Sequence, residues 1–278
     1  MNQDFSFRTM FDGVAGLYEE RIIRAFAPMA ASLIKWIEPQ GHEHVLDIGT
    51  GTGIAARLIA SEVQSVVGID FSPQMVIIAR DMANSHSNIQ FTQADAHQLP
   101  FMSATFDLVV ASFGFNATDP RQSLPEAYRV LAPGGRLCFQ EWGALHEFDN
   151  IISEVFRQYS VDDDDASQDL LAFRDFFAIE RPWYEDLQNE EDFVMDLGDY
   201  GFQQIWVKEH QPVEVKLTVE EFIQYKTAWT PARVELAAMD RSARGDCVDA
   251  MRRRFYEFAD TDGILTYAPP LFRIRAVK

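Results

Sequence analysis

The chain has 278 residues, 47% of them apolar and 24% charged, which is the balance of a soluble globular protein able to close a core and excludes a long disordered polypeptide. Its 43 acidic and 24 basic side chains leave a net charge of −19, so nucleic acid and anionic membrane surfaces are both disfavoured partners. Two cysteines, Cys138 and Cys247, are too few for a disulfide framework and give no zinc-type spacing. A reducing cytoplasm is therefore expected, with no metal.

No apolar run approaches the roughly 20 residues that a bilayer span needs. The N-terminus, Met1-Asn2-Gln3-Asp4-Phe5, lacks the basic-then-apolar order of a signal peptide. Apolar residues at helical spacing (Ile22, Ile23, Phe26, Met29, Leu33, Ile34, Ile37) predict a helix over about 18–37, stopped by Pro39 and Gly41. A strand at 44–48 follows, then the glycine run Gly49-Thr50-Gly51-Thr52-Gly53, then a helix from Ile54 to about Glu62. Further strands are predicted at 65–70, 89–92, 106–111 and 136–141, with helices at about 73–84 and 124–131 between them.

Strands alternating with helices point to a parallel α/β sheet covered on both faces. The strands read as continuous apolar runs, as doubly buried parallel strands do. Beyond residue 145 the pattern changes. Residues 147–199 hold 17 acidic and three basic side chains together with many aromatics, among them Phe148, Phe173, Phe176, Phe177, Trp183 and Tyr184. A stretch both acidic and aromatic is amphipathic and predicts helices packed by their aromatic side. A strand at 201–207, helices at about 219–226 and 246–259, and a last strand or hairpin at 265–277 complete the prediction.

The glycine run is the strongest chemical signal. Glycines between a strand and a helix let the backbone turn tightly and approach a ligand. The same spacing also serves a plain tight turn. Asp70 ends the second strand, where a carboxylate can accept hydrogen bonds from a ribose diol. That register, with Gly51-Thr52-Gly53-Ile54-Ala55-Ala56 as G-x-G-x-x-A, also fits a nicotinamide fingerprint.

Asp95-Ala96 with Leu99-Pro100-Phe101, and Leu131-Ala132-Pro133-Gly134-Gly135-Arg136-Leu137, separate these readings. With Val45–Ile54, Val67–Met75 and Phe106–Val109, they make the sequence resemble a class I S-adenosylmethionine (SAM)-dependent methyltransferase. Its pattern is nearest to the ubiquinone/menaquinone-biosynthesis-like small-molecule enzymes. The resemblance covers about residues 11–142, roughly half the chain.

It implies a Rossmann-like, doubly wound seven-stranded sheet whose last strand is antiparallel, with helical lid insertions. A single domain follows: a helical cap at 1–40, a core at 41–145, 199–215 and 264–278, and a substrate lid at 146–198 and 216–263. It implies SAM as cofactor, with Gly49, Thr50 and Gly51 behind the methionine and Asp47 orienting that loop. Asp70 would hold the ribose, Phe71 and Met75 would flank the adenine, and Asp95 and Ala96 would bond its edge. Ser112 and Phe113 would face the methyl group, and Tyr18 would close over the cofactor.

Methyl transfer to a small, aromatic or hydrophobic metabolite is then a direct displacement, in which the protein aligns and excludes water. An oxygen or nitrogen acceptor can require a base. His146 is the candidate, with His97, Glu141 and Tyr184 behind it. A SAM fold used for cyclisation, a nicotinamide oxidoreductase and a non-catalytic partner subunit are the alternatives. Asp162–Asp165 lacks a calcium-loop pattern and reads as solvated acids, and Arg252-Arg253-Arg254 reads as a surface cluster able to steer an anion.

Overall fold

A computed structural model describes residues 6–179, 190–210 and 212–278, so the expectations on Trp183 and Tyr184 lie outside the described residues. The chain divides into two compact units. One takes in the N-terminal segment through Pro28, the segment from Leu145 to the helix ending at Ile179, and Val213–Pro269. The other takes in Met29–Ala144, the segment from the helix starting at Glu190 to Pro212, and Pro270–Lys278.

The second unit is built on a seven-stranded sheet. Its strands are β1 (His44–Ile48), β2 (Ser65–Asp70), β3 (Ile89–Gln93), β4 (Phe106–Ser112), β5 (Leu131–Trp142), β6 (Gln203–His210) and β9 (Leu271–Val277), in the order β3-β2-β1-β4-β5-β9-β6. Strands β3 to β5 run parallel, and β9 is antiparallel to both of its neighbours. The expected sheet, with its last strand reversed, is therefore present. The strand order reverses between β1 and β4, the switch point at which such sheets bind ligands.

One face of the sheet packs Val45, Val66, Leu108, Val110 and Cys138 against Leu33, Ile34 and Ile37 of α2 (Ile23–Ile37) and against Ala55, Ala56 and Ile59 of α3 (Ile54–Ile59). The other face packs Leu46, Val109, Leu137, Phe139 and Ile274 against Leu124, Ala127 and Val130 of α5 (Pro120–Val130) and against Phe193 and Leu197 of α8 (Glu190–Asp199). This division of alternate strand residues between two faces follows from the period of two. Helix α8, expected in the lid, thus belongs to the sheet unit.

The helical unit contains α1 (Phe7–Leu17), a π-turn at Tyr18–Ile22, α6 (Glu147–Tyr159), α7 (Gln168–Ile179), α9 (Val219–Ala228), α10 (Thr230–Ala238) and α11 (Arg241–Tyr256). It also holds a two-stranded antiparallel sheet of β7 (Val215–Thr218) and β8 (Ile264–Tyr267). Phe148 centres its core, meeting the rings of Phe222, Phe255 and Phe258 edge-on at 5.4, 5.5 and 5.3 Å. No helix among the described residues is long and apolar enough to cross a membrane.

Several expected boundaries are corrected. The predicted helix over 18–37 is preceded by α1 and interrupted by the π-turn. The 265–277 segment is two strands in two sheets, not one. Pro269 and Pro270 supply no backbone donor and hold the chain extended, which ends β8 before β9 begins. Helix α5 starts four residues earlier than expected, because Asp119 caps it through the Arg121 amide and Pro120 takes the first position. The Pro133-Gly134-Gly135 turn is a bulge inside β5, where pairing shifts between Phe106–Leu131 and Leu108–Arg136. The insertion expected to be wholly helical contributes β7, and it includes α10, which has no buried residue and so no apolar stripe to read.

Candidate active site

The glycine run after β1 forms the floor of the site. Gly49, Gly51 and Gly53 have φ of 65°, 55° and 84°, the left-handed region that glycine enters without a Cβ penalty. Their surroundings differ. A Cβ on Gly49 would meet Gly114 Cα at 2.4 Å, and one on Gly114 would meet the Ile48 carbonyl oxygen at 1.8 Å. Two backbones pass each other here with no room for side chains. A Cβ on Gly51 meets nothing within 4 Å, so Gly51 is the position open to approach.

Asp47, on β1, lies beneath the loop and is buried. The Thr50 hydroxyl donates to its Oδ2 at 2.6 Å. Burial pushes the carboxyl up to about 7, opposed by the Thr50 hydroxyl and the Ala56 amide and assisted by the charge of Asp70. Asp47 is therefore tied to the loop through Thr50. Thr50 turns its hydroxyl inward, and its amide donates to the Ile69 carbonyl at 2.8 Å, so it belongs to the loop's frame.

Asp70 closes β2 and joins two loops. Its Oδ2 accepts from the Gly51 amide and its Oδ1 from the Ser72 amide, both at 2.9 Å. Ser72 caps α4 (Pro73–Met82) by accepting from the Met75 amide at 3.1 Å. The carboxylate thus sits at the β2 terminus beside the open glycine, held by two charge-assisted bonds. Phe71 is half-buried. Met75 is 1% exposed and packs in the core at the start of α4.

The loop after β3 carries Asp95 and Ala96. Asp95 is exposed, with Oδ1 accepting from the His97 amide at 2.9 Å and lying 3.0 Å from His97 Nδ1. His97 Nε2 accepts from the Asp119 amide at 2.8 Å, which assigns the ring proton to Nδ1. His97 therefore ties the Asp95 loop to the start of α5. Ala96 is buried.

Past β4, Ser112 Oγ accepts from Gln140 Nε2 at 3.0 Å. Phe113 has φ 63° and stacks on Trp142 at 4.2 Å with a 23° interplanar angle. A bulky residue in the left-handed region stores strain, which is found at ligand sites. Its amide donates to the Gln140 carbonyl at 3.0 Å, which holds that geometry.

The expected base does other work. His146 caps α6, with Nδ1 accepting from the Phe148 amide at 3.1 Å, and its ring lies against Phe148 and Tyr267 at 4.7 and 5.0 Å. Burial lowers its pKa, against the opposing charges of Asp149 and Glu147, and its Nδ1 lone pair is committed to the Phe148 amide. Tyr18 is buried in the helical unit, edge-on to Trp229 at 6.3 Å and tilted against Phe26 at 6.0 Å. Arg252 pairs with Glu220 and Asp249, and Arg254 lies 3.5 Å from Glu154, so those two cations are matched by neighbouring acids.

Glu141 is fully buried with neither oxygen in a hydrogen bond. Burial pushes it up to about 8, although the amides of Phe115, Trp142 and Asn116 face it. Gly114, Gln140, Trp142 and Arg273 escape motif reading altogether. The one legible signal for Gln140, Glu141 and Arg273 is polarity inside otherwise apolar strands.

The sheet order, with its glycine turn after β1 and an acid at the β2 terminus, is that of a Rossmann-like α/β fold. Residues 46–139 match the methyltransferase domain family. The chain is 44% identical over 104 residues to the demethylmenaquinone methyltransferase of Thermus thermophilus, covering 36% of this chain and 47% of that protein. It is 40% identical over 124 residues to the ubiquinone/menaquinone biosynthesis C-methyltransferase of Marinomonas sp., covering 42% and 48%. The chain thus spans about half the length of the curated relatives it matches. Among solved structures, the YcgJ protein of Bacillus subtilis aligns with a TM-score of 0.56 at 21% identity, over 90% of this chain and 98% of that one. At that identity the likeness is one of fold.

Proposed function

We propose that the protein is a SAM-dependent methyltransferase acting on a small hydrophobic or aromatic metabolite. The observation that carries this is the Asp70 carboxylate, fixed between the Gly51 and Ser72 amides at the edge of an open glycine turn. A carboxylate accepts at up to about four sites, so a diol can share Asp70 with those amides. The fit is supported at Gly51, where φ is +55° and no atom fills the Cβ position. Quinone-like and phenolic rings come first among acceptors, because the curated relatives are named for menaquinone and ubiquinone biosynthesis.

SAM supplies an electrophilic methyl group when bound. The chain's own residues do the rest. Gly49 and Gly51 keep the loop low, Asp70 orients the ribose, Asp95 and the Ala96 amide read the adenine edge, and Phe71 covers it. Ser112 and Phe113 border the methyl position, where alignment and exclusion of water supply the acceleration. Cys138 and Cys247, both buried free thiols, suit a reducing cytoplasm.

Calorimetric titration with S-adenosylhomocysteine tests the reading, with NAD as the rival ligand. Binding of the former, weakened at least about tenfold by Asp70→Ala through loss of charged hydrogen bonds, is the expected result. Binding of NAD in its place overturns it.

A further inference from the structure

We propose that Arg273 and Gln140 form the subsite that recognises a ring hydroxyl of the acceptor. The proposal rests on the methyltransferase reading and names chemistry within it. Strands β4, β5 and β9 are neighbours, and their register sets Ser112 opposite Gln140 and Gln140 opposite Arg273. Side chains at paired positions share a face, with Cβ atoms about 5 Å apart. The three residues therefore make a polar row across the sheet at the carboxyl ends of β4 and β5, the end where such sheets bind ligands.

Gln140 and Arg273 are 0% and 1% exposed, and each is only half satisfied. Gln140 Nε2 donates to Ser112 Oγ at 3.0 Å, while its Oε1 has no donor. Arg273 Nη2 donates to Ser32 Oγ at 2.9 Å and its guanidinium lies 5.7 Å from the Trp36 ring centre, while its Nε has no acceptor. No carboxylate among the described residues offsets this cation, and burial alone lowers its pKa to about 10. Buried groups left in this condition are costly, and a ligand atom that completes them recovers that cost.

The two unmet needs are complementary. Nε–H requires an acceptor, and Oε1 requires a donor. A hydroxyl meets both at once. An ether oxygen meets only the first, and a carboxylate, being acceptor-only, brings no donor to Oε1. Trp142 follows Gln140 by two residues and so occupies the same face of β5. Its ring, stacked on Phe113 at 4.2 Å, supplies a flat wall beside the polar pair, which selects a hydroxyl carried on an aromatic ring.

The test compares 1-naphthol with its methyl ether as ligands of the full-length protein saturated with S-adenosylhomocysteine. Wild type is expected to prefer the naphthol by at least about tenfold, the loss associated with one unmade buried hydrogen bond. Gln140→Leu, close in volume, removes the donor's partner and brings the two ligands level. Arg273→Met weakens both, and Gln140→Leu decides the matter should Arg273→Met fail to fold. Absence of naphthol binding, equal binding of the two ligands to wild type, or a preference that survives Gln140→Leu each overturns the subsite. The two failures are distinguishable: S-adenosylhomocysteine binding without a naphthol preference sinks the subsite alone, whereas failure of S-adenosylhomocysteine to bind sinks the methyltransferase reading and the acceptor subsite that rests on it.

Discussion

In the sheet unit, the chemistry is written into backbone loops; in the helical unit, aromatic rings and ion pairs hold the helices together. The first needs particular residues at particular places. Gly49, Gly51 and Gly114 sit where a Cβ is strained or excluded, and Asp70 must end β2 to reach two amides. The second can be met by many sequences. Phe148 is surrounded by Phe222, Phe255 and Phe258, and Lys226 lies 4.5 and 4.8 Å from the Tyr267 and Tyr225 ring centres while pairing with Asp149. Arg174 joins Glu235 and Asp163. Any set of rings and opposite charges at helical spacing can build such a core, so it leaves no motif. The comparison teaches that motif density measures how strictly backbone geometry constrains residue type.

The largest effect expected from breaking that contrast is at Gly114. Gly114→Ala would set a methyl 1.8 Å from the Ile48 carbonyl oxygen, an overlap with backbone that no rotamer relieves, and most of the stability should be lost in urea unfolding. A comparable change at an exposed helical-unit glycine with open space, Gly245→Ala, should be neutral or slightly stabilising.

Next in size is a pH effect seated in the sheet unit. Glu141 is raised from 4.5 to about 8 and Asp47 from 3.8 to about 7, both chiefly by burial. The folded protein then holds more protons than the unfolded chain between those values, so stability falls as pH rises. Melting temperature should be highest below about pH 3.8 as far as these two groups are concerned, and should decline until about pH 8. Glu141→Gln should leave only the shallower decline due to Asp47, ending near pH 7. An unchanged slope in that variant would contradict the burial argument.

In the helical unit, Lys226→Met takes the cation from the half-buried Asp149 carboxylate, leaving it the Tyr267 hydroxyl at 3.4 Å, and should cost about 1.5–3 kcal/mol in denaturant unfolding. The smallest effect belongs to the acidic run. Asp164 is exposed, and Asp164→Asn should change stability by less than about 0.5 kcal/mol.

The sheet and the glycine floor were legible, because buried strands and obligate glycines restrict residue type; the reversed last strand came only from the family resemblance. Much else was not. Met75 falls at a motif position yet serves the core of α4, since a motif gives spacing but not the direction of a side chain. His146 has the chemistry of a base yet caps a helix, because capping requires only a lone pair near a free amide. Arg273 sits in an unremarkable strand, and its significance depends on register with Gln140, a long-range pairing that no local pattern encodes.

The claim that the sheet unit carries the cofactor chemistry is tested most directly by hydrogen–deuterium exchange with and without S-adenosylhomocysteine. Protection concentrated in peptides over 47–53, 70–75, 95–97 and 112–114 is the predicted result. Protection absent from those peptides, with the ligand demonstrably bound, would contradict it.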